Sequence, residues 1–153
     1  MNVLIVEDDE NKREQIVDFL AREPLVRKLD VAKSYHSAIM ALSHLELDLI
    51  ILDMTLPTYD ITPTELGGRT RVFGGKEILQ RMKTKGYKGK VIVVTQFEAF
   101  GEGSSASTLD QLRIELHNSY PDKYIGTVFY SAARDNWKSE LSAKIRKLKP
   151  SNI

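Results

Sequence analysis

The sequence predicts an α/β fold: a flavodoxin-like (βα)5 doubly wound parallel sheet, strand order 2-1-3-4-5, with an insertion after the third strand. Three observations predict it. Val3-Leu4-Ile5-Val6, Leu49-Ile50-Ile51-Leu52 and Val91-Ile92-Val93-Val94 are unbroken apolar runs rich in β-branched residues, as suits strands covered on both faces. A strand-like run followed by a helical spacing recurs five times, which argues for one parallel sheet joined by right-handed crossovers. The length, 153 residues, fits one domain spanning residues 1–153 and suits the five-strand order.

The first strand, Val3 to Val6, runs into Glu7-Asp8-Asp9-Glu10. Residues 11 to 22 follow, with Ile16, Val17, Phe19 and Leu20 spaced for one helix face. Asp9 or Glu10 suits the cap of that helix and its positive end. Four adjacent carboxylates exceed what one cap requires, so Glu7 and Asp8, directly on the strand end, are read as a cation site. Pro24 closes the helix, and Leu25 to Val31 reads as a more polar, edge-like second strand. Ser34 opens a helical pattern through Ile39, Met40, Leu42 and Leu45.

The third strand ends at Asp53, and Pro57 bars continuation of a ladder. Residues 58 to 75 form an insertion with two glycine pairs and two arginines, Arg69 and Arg71. It lacks the Gly-Lys-Ser/Thr ending of a phosphate-binding P-loop and does not follow a strand as a dinucleotide fingerprint does. A small hairpin or flap fits its glycines better. Lys76 to Lys85 reads as a helix closed by Gly86. The fourth strand ends in Thr95, and the loop 96–108 delays a helix running from Thr108 or Leu109 to Asn118. Tyr124 to Tyr130 reads as the fifth strand. Asn136 to Leu148 reads as the last helix, with Trp137, Leu141, Ile145 and Leu148 on one stripe. The tail from Pro150 to Ile153 leaves no room for an output domain.

Composition excludes several classes. Twenty-two basic and 21 acidic residues give a net charge of +1, so nothing argues for nucleic acid or an acidic membrane surface as partner. The absence of cysteine removes disulfides and thiolate chemistry. The three histidines, His36, His44 and His117, lack close spacing and argue against zinc. No apolar run approaches the ~20 residues of a membrane span, and the N-terminus is not a signal peptide. A soluble cytoplasmic protein is the expectation.

In the 2-1-3-4-5 order, the ends of strands 1, 3 and 4 bring Glu7, Asp8, Asp53 and Thr95 to one crevice, the edge where open α/β sheets bind ligands. Several carboxylates sharing a small site repel and raise each other's pKa. A hard divalent ion relieves this, and oxygen-only ligands describe magnesium rather than zinc. Asp53 beside Mg2+ then has the makings of a nucleophile that forms an aspartyl phosphate, with the Thr95 hydroxyl donating to a phosphate oxygen.

These residues resemble the receiver domains of two-component response regulators. The matching pieces are Val3 to Asp9 with Arg13-Glu14 downstream, Asp48 to Asp53 with Pro57 four residues later, and Val91 to Thr95. The resemblance implies that Asp53 accepts phosphate from a histidine kinase or histidine phosphotransfer protein. It implies that Asp8 and Asp53 hold Mg2+ with Glu7 assisting through water, and that the backbone carbonyl of Thr55 completes the metal shell. Thr95 would be the switch hydroxyl. Output would pass to an unidentified downstream protein through contacts on the strand 4, helix 4 and strand 5 face.

The departures lie at strand 5, where receivers usually carry a lysine followed by proline that pairs with the phosphoryl group. Here the segment is Val128-Phe129-Tyr130-Ser131-Ala132-Ala133-Arg134. Ser131 is taken to stand at the lysine position, and Arg134 lies nearby as a substitute phosphate ligand. Gln96 follows the switch hydroxyl, where receivers usually carry a small residue. The missing lysine and Gln96 motivate an alternative reading, a phosphorylation-independent pseudo-receiver that serves as an interaction module. A phosphohydrolase built on Asp53 is disfavoured, because Thr55 stands where such enzymes carry a second acid.

Overall fold

The structure, a computed structural model, describes residues 1–148. The expectation drawn from the tail at Pro150 to Ile153 lies outside the described residues. Five parallel strands form the sheet: β1 (Asn2–Val6), β2 (Lys28–Ala32), β3 (Leu49–Leu52), β4 (Lys90–Thr95) and β5 (Tyr124–Phe129). Their order is 2-1-3-4-5, as the strand–helix alternation predicts. The helices are α1 (Glu10–Leu20), α2 (Tyr35–His44), α3 (Gly74–Lys85), α4 (Leu109–Ser119) and α5 (Asn136–Lys147).

The unbroken apolar runs follow from two-sided burial. Successive strand side chains point to opposite faces. Leu4, Val6, Ile50, Leu52, Val91 and Val93 pack with residues of α2, α3 and α4, such as Leu42, Ile78, Met82 and Leu116. Val3, Ile5, Leu49, Ile51, Ile92 and Val94 face the other way, onto Ile16 and Leu20 of α1 and Trp137, Leu141 and Ile145 of α5. Each such side chain contributes about 1.5–3 kcal/mol by leaving water.

Local chemistry sets the helix ends. Asp9 caps α1 by accepting from the Lys12 N–H at 2.8 Å. Ser34 with Ser37, and Thr108 with Gln111, form capping boxes at α2 and α4. Gly86 ends α3 in the left-handed conformation at φ 68°. The second strand begins at Lys28 rather than Leu25. The preceding backbone turns instead, with Val26 N–H donating to Glu23 O and the terminal amine of Met1 donating to Leu25 O.

The 58–75 insertion is a folded hairpin. Leu56–Pro57 pairs antiparallel with Thr70–Arg71, and farther out Ile61–Thr62 pairs with Glu65–Leu66. It is fastened to the body: Ser34 Oγ donates to Asp60 Oδ1 at 2.6 Å, His36 N–H donates to Thr58 O, and the Arg71 guanidinium lies 4.2 Å over the Tyr35 ring. The Gly74-Gly75 pair opens α3, which starts two residues earlier than the spacing at Lys76 indicated. Gly75 N–H donates to Met54 O at 2.8 Å, and a Cβ on Gly75 would sit 2.5 Å from the carbonyl oxygen of Asp53. That glycine lets α3 approach the loop after β3, so its role is packing. The 96–108 loop also folds on itself, with Ala99–Phe100 paired to Ser107–Thr108. Its buried Phe100 ring meets Phe73 of the insertion at 6.3 Å between centroids.

Candidate functional site: carboxylates around a buried lysine

Register decides which side chains meet. Val6 pairs with Leu52, and Leu52 with Val93, so Glu7, Asp53 and Val94 lie level, one residue past the β1–β3 and β3–β4 pairings. The Asp53 N–H donates to Val6 O at 3.0 Å, which fixes the start of the β3 loop against β1. Glu7, Asp8 and Asp53 each present a carboxylate oxygen within 4.8 Å of the others. Glu7 and Asp53 are buried, and Asp8 is exposed. Three oxygen donors with one face open to water fit a hard divalent cation.

At the centre is a residue that the sequence reading passed over. Lys12, in the first turn of α1, is 1% exposed. Its Nζ lies 2.6 Å from Glu7 Oε2 and 3.3 Å from Asp53 Oδ1, and donates to Val94 O at 2.9 Å. Glu7 Oε1 accepts the Asp9 N–H and Asp53 Oδ1 accepts the Met54 N–H. One signal in the sequence marks it. Lys12 is four residues before Ile16 and eight before Leu20, the buried residues of α1, so a lysine stands on the apolar stripe of its helix. A charge in that position is expensive unless paired.

The electrostatics follow from two acids and one cation in a dry site. Burial pushes the Glu7 carboxyl up to about 8, the Asp53 charge adds to the rise, and Lys12 opposes it. Burial also raises Asp53, against the pull of Lys12 and the Met54 N–H. Burial works against the Lys12 charge, but Asp53 and Glu7 together outweigh it and hold its pKa above the ordinary value. Lys12 therefore stays charged, and burial favours a proton on the Glu7–Asp53 pair near neutrality.

Thr95, fully buried at the end of β4, accepts the Phe97 N–H on its hydroxyl oxygen at 3.1 Å. Thr55 lies two residues past Asp53, its hydroxyl donating to Val72 O of the insertion. Gln96 is exposed. A cleft of about 310 Å³ opens beside Asp8, walled by Glu10, Arg13, Lys33 and Ile61 from the insertion. Ser131 and Arg134 are placed elsewhere. They line a cleft with Phe129, Asn136, Trp137 and Glu140, Arg134 is exposed, and Ser131 Oγ accepts the Ala133 N–H. The residue at the end of β5 that faces the lysine is Tyr130. It is buried, with its ring centroid 5.8 Å from Lys12 Nζ and 5.2 Å from the Trp137 ring.

The family model of the response regulator receiver domain matches residues 3–110 of the chain. The chain belongs to the response regulator receiver family. The match ends before β5. A similar protein is the uncharacterized protein y4jR of Sinorhizobium fredii, 36% identical over 92% of this chain and 94% of that one. Another is the Detocs response regulatory protein DtcB of Enterobacter cloacae, 32% identical over 97% of this chain and 100% of that one. Among solved structures, the response regulatory domain of mrkE from Klebsiella pneumoniae superposes with a TM-score of 0.64 at 15% identity, over 97% of this chain and 94% of that one. The response regulator TrrA of Thermotoga maritima, solved in complex with Mg2+ and BeF, superposes with a TM-score of 0.61 at 24% identity over 97% and 99%. This receiver thus shares its sheet order and helices with those structures. Among its described residues, no helix is long and apolar enough to cross a membrane.

Proposed function

We propose that this receiver is a Mg2+-dependent phosphoacceptor in a histidine–aspartate phosphorelay, modified on Asp53. The observation that carries the reading is the convergence of Glu7, Asp8 and Asp53 within 4.8 Å at the carboxyl edge of β1 and β3. Asp8 and Asp53 would hold the ion directly, Glu7 through water, and the Thr55 carbonyl would complete its shell. When bound, Mg2+ neutralises charge on the carboxylates and on the incoming phosphoryl group. A histidine kinase or histidine phosphotransfer protein is the donor. Asp53 attacks phosphorus as the bond from phosphorus to the donor nitrogen breaks, and the electron pair leaves with the imidazole. Thr95 donates its hydroxyl proton to a hydrogen bond with a phosphoryl oxygen, while its oxygen accepts the Phe97 N–H.

The chain works as one receiver-like domain, residues 1–153, in the cytoplasm. It signals through protein contacts, without nucleic acid or membrane, to an unidentified target. The named similarity to a response regulatory protein, DtcB, supports a signalling role, and the TrrA complex with Mg2+ and BeF supports the ion. The test is incorporation of one phosphoryl group from acetyl phosphate with Mg2+, read by intact mass. Wild type is expected to take it up and Asp53→Asn to take up none. Absence in wild type, or equal incorporation in the variant, refutes the reading. The pseudo-receiver alternative is motivated by the missing lysine of strand 5 and by Gln96. Lys12 supplies a cation at Asp53, and Gln96 is exposed.

A further inference from the structure

We infer that Lys12 of α1 is the cation that binds the phosphoryl group on Asp53, a task for which β5 of this chain supplies no lysine. The inference rests on the phosphoacceptor reading and adds to it a residue and a direction of approach. Lys12 reaches the site from the α1 and α5 side of the sheet, and its Nζ already touches Asp53 Oδ1 at 3.3 Å. Its other partners, Glu7 Oε2 at 2.6 Å and Val94 O at 2.9 Å, hold the ammonium in the plane where β3 and β4 end. Within the same level, Thr95 follows Val94, so one backbone segment places both the hydroxyl and the carbonyl that steers the lysine.

The chemistry requires such a group. Phosphorylation removes the negative charge of the Asp53 carboxylate by esterifying one oxygen, and installs a phosphoryl group of about −1.5 to −2 charge near it. The Lys12 and Met54 N–H contacts fall on Oδ1, which makes Oδ2 the attacking oxygen. Lys12 then loses its partner on Asp53 and gains phosphoryl oxygens attached to the same carboxyl. Its proton stays on nitrogen throughout. A short shift of a four-carbon side chain follows the charge, and the burial that would otherwise penalise an unpaired ammonium drives the new contact.

Tyr130 explains why the lysine lies on α1. Its ring fills the end of β5, packs on Trp137 and lies 5.8 Å from Lys12 Nζ. The ring leaves no cation on that strand facing the acids, and it covers the lysine from solvent. Lys12 is in direct contact with the reacting carboxylate, so it is a catalytic residue in this scheme rather than a capping or packing group.

The experiment compares wild type with Lys12→Met in two titrations followed by fluorescence of Trp137, the only tryptophan. The first uses Mg2+ alone and the second beryllofluoride with saturating Mg2+. The expected result is a loss of about 10- to 100-fold in beryllofluoride affinity, the range for one charge-assisted bond, with Mg2+ affinity held or increased. Unchanged beryllofluoride affinity overturns the inference. So does an equal loss for both ligands, which would mean that Lys12 only shapes the pocket. If Lys12→Met fails to fold, Lys12→Gln keeps a donor for Val94 O and undergoes the same comparison. A wild type that binds Mg2+ but no beryllofluoride overturns the phosphoacceptor reading itself, an outcome distinct from loss in the variant alone.

Discussion

The buried Lys12 should also dominate the stability of the metal-free protein, and the magnitude follows from its contacts. At an effective dielectric of about 20, an ammonium gains roughly 6 kcal/mol from a carboxylate at 2.6 Å and roughly 5 kcal/mol from one at 3.3 Å. Desolvation of three buried ions offsets much of that gain. What truncation exposes is the remainder: two carboxylates left close together in a dry site, with the Val94 carbonyl deprived of its ammonium donor. Removing one partner of such a cluster costs about 3–5 kcal/mol, a large share of a typical domain's stability. Lys12→Met, of similar volume, keeps the packing against the stripe of Ile16 and Leu20 and removes only the charge. The assay is urea unfolding in EDTA at pH 9, above the Glu7 value of about 8 so that both carboxylates are charged, run as a cycle with Glu7→Gln and the double variant. Glu7→Gln retains a hydrogen-bond acceptor and removes one of the two stranded charges. The double variant should therefore be more stable than Lys12→Met plus Glu7→Gln taken additively, with a coupling of about 1–3 kcal/mol. A cost below about 1 kcal/mol for Lys12→Met, or additivity within about 0.5 kcal/mol, would refute the claim that the lysine compensates these acids. Added Mg2+ should recover more stability in Lys12→Met than in wild type, because the ion takes over the compensation.

Two further outcomes follow from the same geometry. Glu7 has an ordinary pKa of 4.5 and is held at about 8 in the fold, so between these values the folded state binds a proton that the unfolded chain does not. Its contribution to metal-free stability is therefore present at low pH and falls as pH rises from about 4.5 to about 8, which unfolding in EDTA across that window will show. Cation binding must displace that proton, so Mg2+ affinity should climb with pH, by up to about tenfold per unit, and level off above about 8. A pH-independent affinity would place Glu7 outside the ion's shell. Gly75→Ala should destabilise the fold by about 1–3 kcal/mol, because the new Cβ would lie 2.5 Å from Asp53 O and 3.0 Å from Met54 Cα. Thermal melts will read the cost, and a loss of Mg2+ affinity should accompany it as the β3 loop moves.

The sheet order and the meeting of Glu7, Asp8 and Asp53 could be read from the sequence because both rest on short-range patterns. Four-residue apolar runs fix two-sided burial, and an acid directly after a run fixes where its carboxylate emerges. Lys12 was harder to see. Its neighbours Asn11 and Arg13 make it look like one of several solvated helix residues, and only the four-residue step to Ile16 and Leu20 places it inward. Tyr130 against Ser131 was a question of one residue at a strand end. The Tyr130 N–H bond to Thr95 O and the packing against Trp137 hold Tyr130 at this end, through partners that lie far apart or on another element. The insertion's glycines suggested a hairpin, and the second strand pair formed. Its attachment through Asp60 to Ser34 and through Arg71 to Tyr35 depends on tertiary contacts that no local spacing encodes.

That attachment bears on how a donor reaches Asp53. The insertion is fastened to the N-terminal end of α2 and to α3, and it meets the site through Val72 O, which accepts the Thr55 hydroxyl, and through Ile61 at the cleft beside Asp8. The other long loop meets the insertion through Phe100 and Phe73, on the α3 and α4 side of the sheet. Both additions therefore stand on the flank opposite Lys12, which enters from α1 under the cover of Tyr130. The two flanks have different jobs: the α1 and α5 side supplies fixed positive charge from within the core, and the α3 and α4 side carries the added surface. On the proposed phosphoacceptor role, a donor imidazole would approach between them, over exposed Asp8, where Arg13 is held by the Glu7 and Asp8 carbonyls. Moving the lysine from the last strand to the first helix leaves β5 with no polar duty at the site. This accounts for an aromatic residue, Tyr130, at its end, with its ring 5.8 Å from Lys12 Nζ.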